Sequence, residues 1–158
     1  MSHSDKIEIF KEEIIKFNRK HNLISRKNTE KIIDEAIEEA TALTNHLKQH
    51  KNILDIGTGS GLPGIPLAIF NENKNVYLSE KNNKKNYHLK KTIKLLEIEN
   101  ATTVGSTNKN TKINKKVDCV VTKAFATTKK TIDVANSFLE KPFPLMLLKG
   151  KLKTINKE

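Results

Sequence analysis

The sequence predicts an α/β fold: a parallel sheet with crossover helices, preceded by an N-terminal helical segment. Three observations carry this prediction. Two amphipathic helical patterns fill residues 1–49, and short apolar runs alternate with helix-compatible stretches over residues 50–158. A glycine-rich turn separates the first of those runs from the helix after it. A chain of 158 residues has room for one domain of this kind.

From Asp5 to Lys20, Ile7, Phe10, Ile14 and Phe17 recur at the spacing of a helix buried along one side. "HNLISRKN" breaks that pattern. From about Thr29, Ile32, Ile33, Ala36, Ile37, Ala40, Leu43 and Leu47 form a second apolar face. "NILDI", "NVYLS", "ATTVG", "VDCVVT" and "PLMLLK" then read as strands, and the polar "STNKNTKINKK" reads as a loop. No internal repeat is visible.

Composition narrows the function. The chain carries 29 Lys+Arg against 18 Asp+Glu, a net charge of +11. A positive field of that size attracts polyanions, so nucleic acid is the first partner to consider. A codon bias would give the same excess, because Lys, Asn and Ile crowd the chain and only Arg19 and Arg26 are arginines. No apolar run approaches the roughly 18 residues of a membrane helix, and "MSHSDKIEIF" lacks the apolar segment of a secretory signal. A cytoplasmic protein without membrane contact is therefore expected. Cys119, the only cysteine, excludes an internal disulfide and a cysteine-cluster metal site, and its apolar setting suits a core residue. His46, His50 and His88 lack metal-ligand spacing, so no metal is expected.

The most informative stretch is "LDIGTGSGLPGIPLAI", Leu54 to Ile69. Asn52–Ile56 reads as the first strand and Ile65–Phe70 as its helix, with Gly57, Gly59 and Gly61 in the turn between them. Glycines there permit positive φ and let a ligand lie against the backbone. The helix N-terminus is expected to offer unpaired N–H groups to an anionic part of that ligand. Pro63 and Pro66 flank the first helical turn, where a missing N–H costs little. Glu80 closes the second strand, where an acid can accept hydrogen bonds from both ribose hydroxyls of a nucleoside cofactor. A tight turn with a solvated glutamate is the structural alternative. Asp55 organises the glycine loop, meets a cofactor ammonium, or caps the turn.

The glycine spacing together with Asp55 resembles the first motif of class I methyltransferases dependent on S-adenosylmethionine (SAM). "GLPGIPLAI" is more specific and resembles the RsmG family, also called glucose-inhibited division protein B, which methylates N7 of a guanine in 16S ribosomal RNA. "FNRKHNLIS" is similar to that family's Trp/Tyr-Asn…Asn-Leu-Thr segment through Asn18, Asn22 and Leu23. "SEKNNKK" stands at its Asp-Ser…Gly-Lys-Arg, "VTKAFA" at its Ser-Arg-Ala-Phe-Ala and "LKGK" at its Leu-Lys-Gly. The resemblance runs from about Phe17 to Lys151.

It implies a Rossmann-like class I methyltransferase sheet with the first five strands recognisable and the last two missing. It implies SAM as cofactor and 16S ribosomal RNA or the small ribosomal subunit as partner. The expected cofactor residues are Asp55, Gly57, Gly59, Gly61, Leu62 and Glu80, with Asn108 and Lys109 after the third strand and Lys123 after the fourth. Lys84, Lys85 and Lys149 are expected on RNA phosphates. No catalytic base is assigned, since guanine N7 needs none. Tyr77 and Phe125 are read as core.

Departures from the family pattern keep a second function open. Thr107, Asn108 and Lys109 replace its Arg-x-Glu, and Lys123 replaces an arginine, losing the planar fork. Ala36, Glu39 and Ala40 stand at its His-x-x-Asp-Ser, which reads as the loss of a polar cluster beside the cleft. Leu145–Leu148, without the strands that follow in the family, reads as an exposed apolar edge. The alternative is thus a catalytically impaired relic that binds RNA or ribosomes. An NAD-dependent oxidoreductase would want Gly-x-Gly-x-x-Gly and a substrate domain, and neither is visible.

Overall fold

The computed structural model describes residues 1–107, 111–123, 128–136 and 144–148. Helix α1 (His3–His21) opens on a capping box: Asp5 N–H donates to Ser2 Oγ at 3.1 Å, and Ser2 N–H donates to the Asp5 carboxylate at 3.0 Å. It stops at Asn22, whose φ of +45° is left-handed and whose N–H reaches the Asn18 carbonyl. Asn18 is itself buried, and its side-chain oxygen accepts from Ile24 N–H at 3.0 Å. The two asparagines of "FNRKHN" therefore close a helix. Helix α2 (Thr29–Thr44) follows, extended by a 3-10 turn at Asn45–Leu47.

Each apolar run expected as a strand coincides with one, to within a residue or two. Strands β1 (Asn52–Ile56), β2 (Asn75–Ser79), β3 (Ala101–Gly105), β4 (Cys119–Lys123) and β5 (Leu145–Leu148) lie in the order β3-β2-β1-β4-β5, all pairs parallel. Helices α3 (Gly64–Phe70), α4 (Asn83–Leu95) and α5 (Thr128–Asn136) interleave with them. Parallel strands are covered on both faces, and β1 accordingly has 0% exposure from Ile53 to Ile56. On one face Phe10 and Ile14 of α1 and Ile33 and Ala36 of α2 pack with Ile65, Ile69, Leu78 and Leu89. On the other, Leu54, Ile56, Tyr77 and Val120 pack with Ala135 of α5. α1 and α2 thus share a core with the sheet. The Phe17 ring also stacks on His88 of α4 at 4.1 Å.

Cys119 is a core residue as expected: burial, aided by the Asp118 charge, pushes its thiol up to about 12. Tyr77 is in the core too. Phe125 falls outside the described residues. β5 lies at one edge of the described sheet, as expected, but Leu145, Met146 and Leu148 lean half-buried onto the core.

The amino end of the sheet is closed by hydrogen bonds. The Asp118 carboxylate accepts from Lys51 N–H at 2.9 Å and Asn52 N–H at 3.1 Å. The buried Lys74 ammonium donates to His50 O at 2.8 Å, and the Asn100 amide reaches the carbonyls of Ala68, Asn71 and Lys74. The carboxyl end is where the loops remain to do chemistry. There the chain leaves β1 towards β2 on one side, while β4 lies on the other. That divergence is where open α/β sheets bind ligands.

Candidate functional site

Gly57, Gly59 and Gly61 have φ of +69°, +58° and +95°, the backbone that the sequence called for. The turn is held internally. Thr58 N–H donates to Ser79 O at 3.0 Å, and Gly61 and Leu62 N–H donate to Thr58 O at 2.9 and 3.2 Å. The glycines serve different ends. A Cβ at Gly61 would meet Ile65 Cδ1 at 2.7 Å, and one at Gly64 would collide with Leu78 Cδ2 and Asp55 Oδ2. Among the described residues, a Cβ at Gly59 would meet only Gly57 O, at 3.9 Å. Packing requires Gly61 and Gly64, whereas Gly59 has room for a side chain among the described residues.

The expected row of unpaired donors at the start of α3 is not there. Gly64 N–H donates to Asp55 Oδ2 at 2.9 Å, Ile65 N–H to Gly61 O at 2.7 Å and Leu67 N–H to Pro63 O at 3.0 Å. Pro66 has no N–H to give. The turn curls back over its own helix, so the chain uses the donors that a ligand was expected to meet.

Asp55 causes much of this. It is 0% exposed and lies beneath the turn with one oxygen on Gly64. Burial pushes its carboxyl up to about 7, against the pull of the Thr58 hydroxyl and Gly64 N–H, and the Glu80 charge adds to the rise. Its Oδ1 and the Thr58 Oγ1 are both buried, with the hydroxyl near enough to draw on the carboxyl but outside hydrogen-bond geometry. Leu62, expected against a cofactor, is 8% exposed with its side chain in the core and its N–H taken by Thr58.

Glu80 is no solvated glutamate. At 8% exposure, its Oε2 accepts from Gly59 N–H at 3.1 Å and its Oε1 from Asn82 N–H at 2.8 Å. A carboxylate has about four acceptor positions, so two such bonds leave capacity for hydroxyl donors. Asn82 then caps α4 by accepting from Lys85 N–H at 3.0 Å. Beside them, Ser79 Oγ donates to Gly105 O at 2.8 Å, and the Asn86 amide donates to Glu80 O while its Oδ1 is buried without a partner.

Lys123, at the end of β4, meets Glu39 of α2 at 2.6 Å, each side chain only about a quarter exposed (25% and 28%). The polar cluster expected to be lost from α2 is therefore retained in part. Glu39 keeps a charge at the sheet edge and Lys123 neutralises it, while Ala36 and Ala40 are buried core. Nothing in the sequence signalled that pairing, which spans 84 positions. Thr122 Oγ1 donates to Ile56 O at 2.8 Å and locks β4 to β1 at the same level.

Lys84 is exposed and Lys85 half-buried, both in the first turn of α4. Asn108, Lys109 and Lys149 fall outside the described residues. Among the described residues, no group of His, Cys, Asp and Glu could hold a metal ion, and no helix is long and apolar enough to cross a membrane.

Known proteins are similar to this chain in sequence and in fold. Residues 3–158 match the family model described as rRNA small subunit methyltransferase G. The Ribosomal RNA small subunit methyltransferase G of Brachyspira hyodysenteriae is 32% identical over 145 residues, covering 92% of this chain and 70% of that protein. The protein of that name from Vibrio vulnificus is 35% identical over 111 residues, covering 70% of this chain and 52% of its own. The chain thus spans between about half and seven tenths of the length of these relatives. Among solved structures, M. jannaschii TYW2 in complex with AdoMet aligns with a TM-score of 0.53 at 27% identity, over 66% of this chain and 48% of that one.

Proposed function

Since the chain belongs to the rRNA small subunit methyltransferase G family, we propose that it transfers a methyl group from SAM to N7 of a guanine in 16S ribosomal RNA. Its place of work is the cytoplasm, on the RNA or the small ribosomal subunit. The observation that carries this is the glycine turn at the carboxyl end of β1, with room beside Gly59 among the described residues and the Glu80 carboxylate on its rim.

A ribose-bearing ligand fits those residues. Gly59 lets it lie against backbone, and Glu80 has acceptor capacity left for ribose hydroxyls. Gly57 and Gly61 shape the turn, Asp55 holds it from below through Gly64, and Leu62 anchors it in the core. Lys123, steadied by Glu39, stands where β4 reaches the same edge. Asn108 and Lys109 are assigned to the cofactor side on sequence alone.

When bound, SAM supplies an electrophilic methyl group on a sulfonium sulfur. Guanine N7 carries an available lone pair at neutral pH, so no residue has to remove a proton. The chain's task is to hold nucleophile, carbon and sulfur in line, which is worth several kcal/mol. Because positive charge would be spread from sulfur towards the guanine as the methyl moves, an anion against sulfur would not help. Asp55 lies enclosed beneath the turn on Gly64 N–H, so its part is to hold the turn. Lys84, Lys85 and Lys149 supply phosphate contacts within a chain of net charge +11.

Calorimetric titration of the folded chain with SAM and with S-adenosylhomocysteine tests the cofactor site. A Kd near micromolar, about −8 kcal/mol, is expected. Methyl transfer to unmodified small subunits, or to naked 16S RNA, then tests the activity. No binding would refute the site. Binding without transfer to either substrate would leave a relic that holds RNA or ribosomes.

A further inference from the structure

Helix α4 packs through His88, Leu89 and Thr92 and turns its other side to solvent. With 3.6 residues per turn, Lys84, Lys90, Lys91 and Lys94 all project within roughly 60° of Tyr87. All four lysines are exposed, and the Tyr87 ring between them is 71% exposed. The other tyrosine, Tyr77, is 6% exposed. No acidic residue occurs from Lys81 to Leu96, and none of these lysines makes an ion pair among the described residues. The ring thus contributes nothing to the core and has cations on every side.

We infer that Tyr87 is a stacking platform for an unpaired base of single-stranded RNA, with the adjoining phosphates held by the surrounding lysines. This rests on the RNA-directed function proposed above. An exposed aromatic ring within a cationic surface is the combination that binds single strands, the ring taking a base face and the charges following the backbone. A protein partner would want further apolar side chains around the ring, and the exposed positions within about 60° of it are lysines and Asn83, while Leu95, the other exposed apolar residue of α4, lies about 80° round and two turns along. Duplex RNA would leave the ring idle, since its bases are already stacked. The face also begins at the right place. Tyr87 lies one turn into α4, about 6 Å along the axis from Asn83, and α4 starts on the Asn82 N–H that Glu80 holds. RNA seated there is directed towards the rim of the glycine turn.

Fluorescence anisotropy of the full chain with a labelled single-stranded oligoribonucleotide of about twelve residues tests this. The control is a strand of the same length with abasic sites. Tyr87→Ala should weaken binding of the base-bearing strand roughly tenfold, while Tyr87→Phe keeps it within about twofold. The abasic strand should bind both variants and the parent alike. The salt dependence of Tyr87→Ala should equal that of the parent, because the phosphate contacts stay. Melting curves should show both variants as stable as the parent. Undiminished binding by Tyr87→Ala, or an equal loss on the abasic strand, would overturn the stacking role and leave the RNA-directed function standing. Failure of the parent chain to bind either strand at low salt would overturn both.

Discussion

Replacing Asp55 with asparagine should remove a pH dependence of stability that the buried carboxyl creates. In the folded chain this group is fully enclosed and raised to about 7 from its ordinary 3.8, chiefly by burial, while the Thr58 hydroxyl and Gly64 N–H pull it down and the Glu80 charge pushes it further up. In the unfolded chain it titrates at the ordinary value. Between the two, the folded state binds more protons than the unfolded state. Unfolding free energy therefore falls as pH rises through that window and levels off above about 7. A rise of about three units, at about 1.4 kcal/mol per unit, sets an upper bound of about 4 kcal/mol. Asparagine keeps an oxygen for Gly64 N–H and cannot ionise. Urea unfolding of both proteins at about pH 5 and about pH 8 gives the comparison, and the variant should gain roughly 2–3 kcal/mol on the parent between them. His88, whose pKa burial lowers, works in the opposite sense but is common to both proteins and cancels. A stability difference that does not change with pH would refute the reasoning.

Gly59→Ala places its methyl where the described residues leave room, so its folding cost is that of the left-handed backbone, about 1–2 kcal/mol, while calorimetry should find SAM at least tenfold weaker. Unchanged affinity would move the cofactor elsewhere. Gly64→Ala drives a methyl into Leu78 and Asp55 and should lower stability by about 1–3 kcal/mol, visible as an earlier melt. The Lys123–Glu39 pair is about a quarter exposed on each side, so a double-mutant cycle with Lys123→Met and Glu39→Gln should give a coupling of about 1 kcal/mol that shrinks in high salt. Zero coupling would mean that α2 is held to the sheet edge by packing alone.

The strands were legible because a parallel sheet demands apolar runs, and β1 and β2 coincide with "NILDI" and "NVYLS". The three left-handed glycines were legible for a similarly local reason, since few other residues tolerate that backbone. What the sequence concealed depends on pairing in space. Asp55 and Gly64 lie nine positions apart, and only the curl of the turn shows that the helix donors are already satisfied. Glu39 was legible only as part of a departure from the family pattern, until β4 brought Lys123 to it. Asn18 and Asn22 stood out as a resemblance, but their physical task, closing α1, shows only in the backbone geometry. Tyr87 was hidden among lysines. Which side of α4 faces outward is decided by the contacts of His88 and Leu89.

The strand order also governs how the chain must assemble. Leu54 pairs with Tyr77 on one flank and with Val120 on the other. As the chain emerges from the ribosome, β2 can dock soon after β1, but β4 is delivered only after two further elements have been made. Throughout that interval the most deeply buried strand has a bare flank of amides and carbonyls, the kind of edge that recruits other chains. Distant parallel pairing is also slow to form. Substitutions that weaken the β1–β4 seam, such as Val120→Ala or Thr122→Val, will therefore be felt first as chain lost to aggregates during synthesis, before any defect in the finished protein can be measured.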